Sequence, residues 1–362
     1  ALQARLFPNP ELEGEVEEFG GTGPRKGFTS AESTIKVSQL IEMGGKRGKR
    51  AAIGRYDKDL AQWDFESKKL DVIEKTKVAF IDLLLFQEKL KISEHLNILA
   101  TELHGTIEEK VQAGKVAPLE GKKARIALSF SKLEMEKNQR ELSIAHQRLK
   151  SLWGDLKVKI QKVSGKLDVS QLPVALQHTF EDAQANPEIL RLKTEAERSK
   201  AVSQLERASR IPDITLSAGV KHFEETKDEA FVVGLSIPLP LFDRNQGNVS
   251  AAKEEERKVQ ELSLLAKTRI ESDLLQLNQE TSLVYSEVRA LEDDILPNAE
   301  SSFADSKEAY LRGKVDYLDL LDSQRTLFEV KVKHMEALGN YHKLHARIDR
   351  LIGGALNEST EK

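Results

Sequence analysis

The sequence predicts a mainly α-helical fold with a small β part, built from two related halves. Three observations predict it: a composition typical of long helices, an internal repeat, and a change of apolar period within each half. The chain has 362 residues, of which 31% are charged and 6% aromatic. Roughly half of them are Ala, Glu, Lys, Leu or Arg, as in coiled coils. This length is typical of about two domains.

Composition also excludes several classes of site. The chain has no Cys, which excludes disulfides, zinc–thiolate sites, iron–sulfur clusters and thiol catalysis. A net charge of −4 does not favour nucleic-acid binding. No apolar run reaches the length of a transmembrane helix. The first residues, Ala1 to Arg5, are typical of the end of a helix, so we expect the natural N-terminus and any targeting segment to lie upstream.

An internal repeat relates the two halves at an offset of about 200 residues. The matching segments are Pro10-Glu11-Leu12 with Pro212-Asp213-Ile214, Ala51-Ala52 with Ala251-Ala252, Ala113-Gly114-Lys115-Val116 with Arg312-Gly313-Lys314-Val315, and 148–154 with 347–353. We therefore place the first half at residues 1–209 and the second at 210–362. A unit of this length predicts one fold made of two halves rather than a solenoid.

Each half has the same predicted order of elements. Two strands come first, at about 10–19 and 32–43 in one half and at about 212–223 and 230–241 in the other. A helical hairpin follows, at about 48–153 and 247–352, with a linker and helix at 154–209 and a C-terminal tail after the second hairpin. The first arm of each hairpin has about 65 residues, or roughly 98 Å. Glycines break the arms at Gly114 and Gly313, and Pro297 predicts a kink within the second hairpin.

The strands alternate apolar residues with polar or small ones, as in Ile214, Leu216, Ala218 and Val220. Such a pattern fits a soluble, half-buried sheet. It also fits strands that cross a membrane, for which about 9–12 residues suffice. Four strands cannot close into a barrel, so the membrane interpretation requires several chains to share one.

Four motifs resemble a known family. Residues 237–247 (IPLPLFDRNQG) resemble the strand-to-helix signature of the outer membrane factors, the TolC-like channels of tripartite efflux pumps, and residues 313–326 resemble that family's second helical tip. Residues 8–12 and 113–120 are similar to the counterparts in its first half. The style of these motifs is closest to the CzcC-like branch, which serves exporters of heavy metals and other cations.

The resemblance implies a homotrimer in the outer membrane of a Gram-negative-type bacterium, with a 12-stranded β-barrel and a long periplasmic α-barrel. It implies a passive exit duct for heavy-metal or other cations, which works with a periplasmic adaptor and an RND-type inner-membrane pump. By the same resemblance, the adaptor docks at the two tips, which comprise Gly114, Lys115, Val116, Gly313, Lys314 and Val315.

Two acidic sets are candidate site residues. Asp319 and Asp322 share one helical face next to the second tip, and the matching pair in the family narrows the closed periplasmic aperture. We therefore expect them to form a gate, although solvated surface carboxylates give the same spacing. The second set lies on one side of the first strand and would bias a lumen toward cations, or would simply face solvent: Glu11, Glu13, Glu15 and Glu17.

The sequence gives little support for a phosphate-binding loop, a metal site or an enzyme active site. Lys46, Arg47, Lys49 and Arg50 follow two glycines, but the Ser or Thr of a phosphate loop is absent. A basic collar near anionic headgroups or a plain surface cluster explains them equally well. His342 and His345 share one helical face, but no set of carboxylates and histidines with the spacing of a metal site accompanies them. We expect no enzyme activity, cofactor or resident metal. The alternative function is a soluble or peripheral coiled-coil scaffold, such as a periplasmic adaptor.

Overall fold

The protein is mainly α-helical with one small antiparallel sheet, which confirms the predicted fold class. A computed structural model describes residues 1–154, 157, 162–169 and 176–354. Part of the expected linker and helix at 154–209, and most of the C-terminal tail, lie outside these residues. The described α-helices are α1 (Lys46–Gln112), α2 (Pro118–Leu152), α3 (Leu176–Asp182), α4 (Pro187–Ala208), α5 (Gln246–Ala290), α6 (Leu296–Leu311) and α7 (Tyr317–Ile352).

One compact unit contains the sheet and consists of Ala1–Phe65 and Pro187–Lys267. Its strands are β1 (Glu11–Glu17), β2 (Glu32–Ile41), β3 (Ile214–Phe223) and β4 (Asp228–Ser236), hydrogen-bonded in the order β1-β2-β3-β4 with every pair antiparallel. Because side chains alternate between the faces of a strand, the register places most of the large apolar residues of the four strands on one face of the sheet.

That face is exposed in the single chain. Phe231 and Val233 are 91% and 83% exposed, and eight further large apolar side chains on the same face are also exposed: Leu12, Val16, Ile35, Val37, Ile41, Leu216, Val220 and Leu235. A contiguous exposed apolar patch of this kind marks an interaction surface. Within the described residues, no helix is both long and apolar enough to span a membrane.

The fourth strand is shorter than the expected range of 230–241, because it ends at Ser236. Ser236 pairs with Thr215, the second residue of β3, so only Ile214 of β3 remains beyond this pair. Pro238 and Pro240 also lack the backbone N–H that a sheet ladder needs. The alternating residues Ile237, Leu239 and Leu241 therefore continue past the end of β4 without a partner strand in this chain.

The second compact unit consists of Glu66–Asn186 and Thr268–Lys362. Its helices pack through small separate cores rather than one large one. One core joins Leu83 with Ala145 and Leu149, and another joins Val288 and Leu291 with Leu338. A five-residue π-helical segment, Leu291–Ile295, separates α5 from α6 and lies just before Pro297, where the sequence predicts a kink. Helical distortions of this type accommodate a proline within a long helical run.

Candidate functional site

The two helical tips have the same backbone geometry. At the end of α1 the N–H of Gly114 donates to the carbonyl of Val111 (2.9 Å), and the N–H of Lys115 donates to that of Lys110 (2.8 Å). At the end of α6, Gly313 and Lys314 donate to the carbonyls of Tyr310 and Ala309 over 3.1 and 2.9 Å. This double hydrogen bond is the Schellman motif, and it requires a left-handed residue at the position of each glycine.

Both glycines meet that requirement. Their φ angles are +68° for Gly114 and +69° for Gly313, a region that side chains with a Cβ rarely adopt. The following lysines, Lys115 and Lys314, are exposed, whereas Val116 and Val315 are half-buried. Each tip therefore presents a glycine and a lysine to solvent and uses its valine for packing.

The return helices begin differently. Pro118 is the first residue of α2, where its missing N–H costs nothing. In α7 the carboxylate of Asp316 caps the helix instead, because its Oδ1 accepts hydrogen bonds from the N–H groups of Leu318 (2.9 Å) and Asp319 (3.1 Å). The sequence analysis missed this cap, which fixes the helical turn that carries Asp319.

Replacing Asp316 with Ala should therefore loosen the first turn of α7. Loss of an N-cap costs about 0.5–2 kcal/mol, which corresponds to amide exchange at Leu318 and Asp319 that is about 2- to 30-fold faster. Hydrogen–deuterium exchange of the assembled protein measures this. Asp316→Asn is the matched control, because asparagine caps equally well. Unchanged exchange in the alanine variant would contradict the assigned cap.

A shared core lies beneath the two tips. It joins Leu103 and Ile107 of α1 and Ala124 of α2 to Tyr310, Tyr317 and Leu320 of the second hairpin. The two tyrosine rings lie 5.9 Å apart, and the ammonium group of Lys110 lies 4.2 Å from the centre of the Tyr310 ring. Burial raises the pKa of both phenols, so they stay neutral. The tips of one chain are thus packed into one structure.

An exposed leucine accompanies each tip and was also missed. Leu119 of α2 is 59% exposed and Leu318 of α7 is 50% exposed. They lie 199 positions apart, which is the offset between Gly114 and Gly313, so the internal repeat contains the signal that identifies them as equivalent. Each tip therefore offers a lysine and a leucine at equivalent places, which is a surface that one partner could recognise twice.

The predicted gate residues lie together on the second hairpin. Asp319 and Asp322 are both exposed and line a groove of about 1130 Å³ between α1, α2 and α7. Basic side chains also line this groove, including Lys123 and Arg325. Arg325 donates to Glu329 over 2.7 Å, a contact that leaves the two aspartates accessible to solvent. The geometry agrees with a helical face that presents two carboxylates to whatever lies opposite.

The face of the sheet that carries the β1 glutamates has less net negative charge than the sequence indicates. The glutamates lie on one exposed face of the sheet as expected, but lysines of β2 and β3 share that face. Lys36 lies 3.2 Å from Glu13 and 3.6 Å from Glu15, and Lys221 lies 3.1 Å from Glu17 and also contacts Glu32. These ion pairs offset much of the negative charge that we expected along β1.

The basic cluster after β2 is used in ion pairs. Lys46 donates to Asp213 over 2.8 Å, and the guanidinium of Arg50 binds Glu42. The Arg47 guanidinium lies 3.8 Å from the centre of the Phe7 ring. These contacts fix the junction between β2 and α1, and they account for three of the four basic residues without an anionic ligand.

His342 and His345, two of the three histidines of α7, lie in the second unit. Burial lowers the pKa of His342 and His345, which favours the neutral imidazole. The Nε2 atom of each has no hydrogen-bond partner within the described part of the chain. Those same residues contain no group of three or more His, Asp or Glu side chains placed to hold a metal ion.

Comparisons with known proteins agree with this geometry. The sequence profile of a family described as "Outer membrane efflux protein" matches residues 3–155 and 181–354. The chain is 31% identical to the cobalt-zinc-cadmium resistance protein CzcC of Cupriavidus metallidurans over 352 residues, which cover 97% of this chain and 82% of CzcC.

Two further similarities are weaker in sequence. The nickel-cobalt-cadmium resistance protein NccC of Alcaligenes xylosoxydans xylosoxydans is 25% identical over 290 residues, or 80% of this chain and 64% of NccC. The crystal structure of the CmeC outer membrane channel of Campylobacter jejuni aligns with a TM-score of 0.81 at 15% identity, over 98% of this chain and 79% of CmeC. At that identity the structural match shows the fold alone.

Proposed function

Because this chain belongs to the outer membrane efflux protein family, we propose that it is the exit duct through which a metal-efflux pump releases heavy-metal cations across the outer membrane. The observation that carries the proposal is the 31% identity to CzcC over nearly the whole chain. NccC, whose name refers to resistance to nickel, cobalt and cadmium, adds support. The cations are the substrate in this proposal.

The working unit in this proposal is a homotrimer. A single chain supplies four strands with two free edges and one exposed apolar face. Unpaired backbone groups are costly in lipid, so the edges must be eliminated by further copies. Three copies give twelve strands, enough for a closed sheet whose apolar face meets lipid and whose polar face lines the duct.

The partners are a periplasmic adaptor and an RND-type inner-membrane pump. The adaptor docks at the two tips, where Lys115 and Lys314 are exposed beside Leu119 and Leu318. In three copies, Asp319 and Asp322 form a ring of carboxylates that narrows the duct and attracts cations. Docking moves the tip helices apart, after which the cation diffuses outward through water.

The alternative function, a soluble scaffold or periplasmic adaptor, receives no support. An adaptor would carry a separate β module beside a single hairpin. This chain has two hairpins and one sheet to which both halves contribute strands. The match to the efflux family extends across both halves as well.

Deleting the gene in the bacterium that carries it tests the function. We expect lower resistance to cobalt, zinc and cadmium salts and a higher cell-associated content of the same metals, both restored by the wild-type gene. Resistance to an organic dye is the control for general permeability. Unchanged resistance to all three metals, with production of the protein verified in the parent strain, would refute the proposal.

A further inference from the structure

The internal repeat fixes how one chain should pair with the next. The two free edges of the sheet are β1 and β4, one from each half. Between the halves, β1 corresponds to β3 at an offset of 202, as in Leu12 and Ile214. The offset for β2 and β4 is 200, as in the nearby pair Ala51 and Ala251.

The observed register supports these two offsets. Adding 202 to a residue of β1 and 200 to its partner in β2 gives two residues that are paired in the β3–β4 hairpin. The converted pairs are Glu13–Lys36 to Thr215–Ser236, Gly14–Ile35 to Leu216–Leu235, and Val16–Ser33 to Ala218–Val233. The two hairpins therefore share one register, which fixes the sum of the two offsets. The match of residues 10–12 with residues 212–214 then sets the offset between β1 and β3 at 202.

The same offsets can be applied to the central β2–β3 ladder, by adding 200 to each residue of β2 and subtracting 202 from its partner in β3. The result is a ladder that a single chain cannot form. It joins β4, extended to Leu241, with β1 of another copy. The observed pairs Val37–Ala218, Gln39–Leu216 and Ile41–Ile214 convert to Ile237–Val16, Leu239–Gly14 and Leu241–Leu12. Both strand directions are correct, because β4 and β1 run antiparallel in the strand order of the sheet.

We propose that the extended β4 pairs with β1 of a second copy in this one register, with Ile237 opposite the partner's Val16, Leu239 opposite the partner's Gly14 and Leu241 opposite the partner's Leu12. This inference rests on the proposed trimer and specifies its interface. It also explains why residues 237–241 alternate like a strand yet lack a partner in the single chain.

The side chains at this seam fit each other. Five exposed apolar residues take part: Ile237 lies opposite Val16, Leu241 lies opposite Leu12, and Leu239 lies opposite Gly14. Nothing lies within 4 Å of where a Cβ on Gly14 would stand, which leaves room for the leucine. A register shifted by one residue would place Pro238 and Pro240 on the apolar face instead.

The prolines are compatible with the seam. In an antiparallel ladder, alternate N–H groups point to opposite neighbours. Pro238 and Pro240 therefore remove donors on one side of the strand only. Ile237, Leu239 and Leu241 retain their N–H groups. In the single chain the N–H of Leu241 donates to the carbonyl of Leu239 over 2.8 Å, so this turn must open when Leu241 pairs with the partner's β1.

The absence of native cysteine makes the register directly measurable. A Val16→Cys/Ile237→Cys variant and a Glu15→Cys/Pro238→Cys variant each place two cysteines opposite each other across the seam. Directly paired residues have Cα atoms about 4.5–5.5 Å apart, within disulfide range. The matched controls, Val16→Cys/Leu235→Cys and Val16→Cys/Leu239→Cys, are displaced by two residues to about 7–8 Å, beyond that range.

After mild oxidation in outer-membrane fractions, we expect the two in-register variants to lose the 40.6 kDa monomer band and gain dimer and trimer bands that disappear on reduction. The controls should remain monomeric under denaturing conditions. Stronger linking in either control, or no linking in both in-register variants, would overturn the register. The metal resistance of cells that carry the reduced variants distinguishes the two proposals. If resistance is retained but the in-register cysteines do not link, the proposed register is wrong and the proposed exit-duct function is unaffected.

Discussion

Replacing Asp319 and Asp322 together with Ala should raise the single-channel conductance and weaken block by multivalent cations. In a trimer the pair becomes six carboxylates around one aperture, and each nearby pair of like charges repels by roughly 1 kcal/mol at 4 Å in water. Such a ring binds a trivalent cation tightly and narrows the path for ions. Planar-bilayer recording with the purified protein measures both properties, together with a shift of the reversal potential toward lower cation selectivity.

Two further variants separate charge from size. Asp319→Asn with Asp322→Asn removes the charge but keeps the volume, so it should abolish multivalent block and raise conductance less than the alanine pair does. Asp305→Ala removes an exposed carboxylate from α6 and should leave conductance and block unchanged. If the alanine pair retains wild-type conductance and block, the two aspartates do not form the gate.

Introducing a lysine on the apolar face of the sheet should prevent assembly in the outer membrane. Val233 is 83% exposed in the single chain and lies on the face that would meet lipid. A lysine costs about 2–4 kcal/mol at the middle of a bilayer, and a trimer incurs this cost three times. We therefore expect Val233→Lys to reduce the amount of trimer recovered from outer-membrane fractions by orders of magnitude.

The neighbouring residue provides the matched control. Val232 lies on the opposite face of the same strand, so Val232→Lys adds the same charge toward the duct and should assemble close to the wild-type level. Sedimentation of membrane fractions and the mass of the extracted oligomer measure both variants. Equal assembly of the two would contradict the assignment of the apolar face to lipid.

Periodicity and the repeat were enough to predict the mainly α fold, the four strands and the helical tips. Gly114 and Gly313 could be identified because a left-handed turn at the end of a long helix strongly favours glycine. The end of β4 could not be identified, since alternation continues to Leu241 while pairing ends at Ser236. Alternation describes the faces of a strand but carries no information about the presence of a neighbour.

The candidate site was only partly predictable. The spacing of Asp319 and Asp322 placed them on one helical face, whereas the cap provided by Asp316 depends on where α7 begins, which the sequence leaves uncertain by a few residues. The pairing of Glu13 and Glu15 with Lys36 depends on the register between β1 and β2. Contacts between residues far apart in sequence are set by tertiary pairing, which a local pattern does not reveal.

The common core beneath the tips would limit how the proposed gate opens. Tyr310, Tyr317 and Leu320 of the second hairpin pack against Ile107 and Ala124 of the first, so we expect the two tips of a chain to move together. A force applied at the lysine of either tip is transmitted to the turn that carries Asp319. Binding of the adaptor to one tip in each chain would therefore suffice to open a trimer. Contacts with the other tips would strengthen the binding without increasing the movement of the gate.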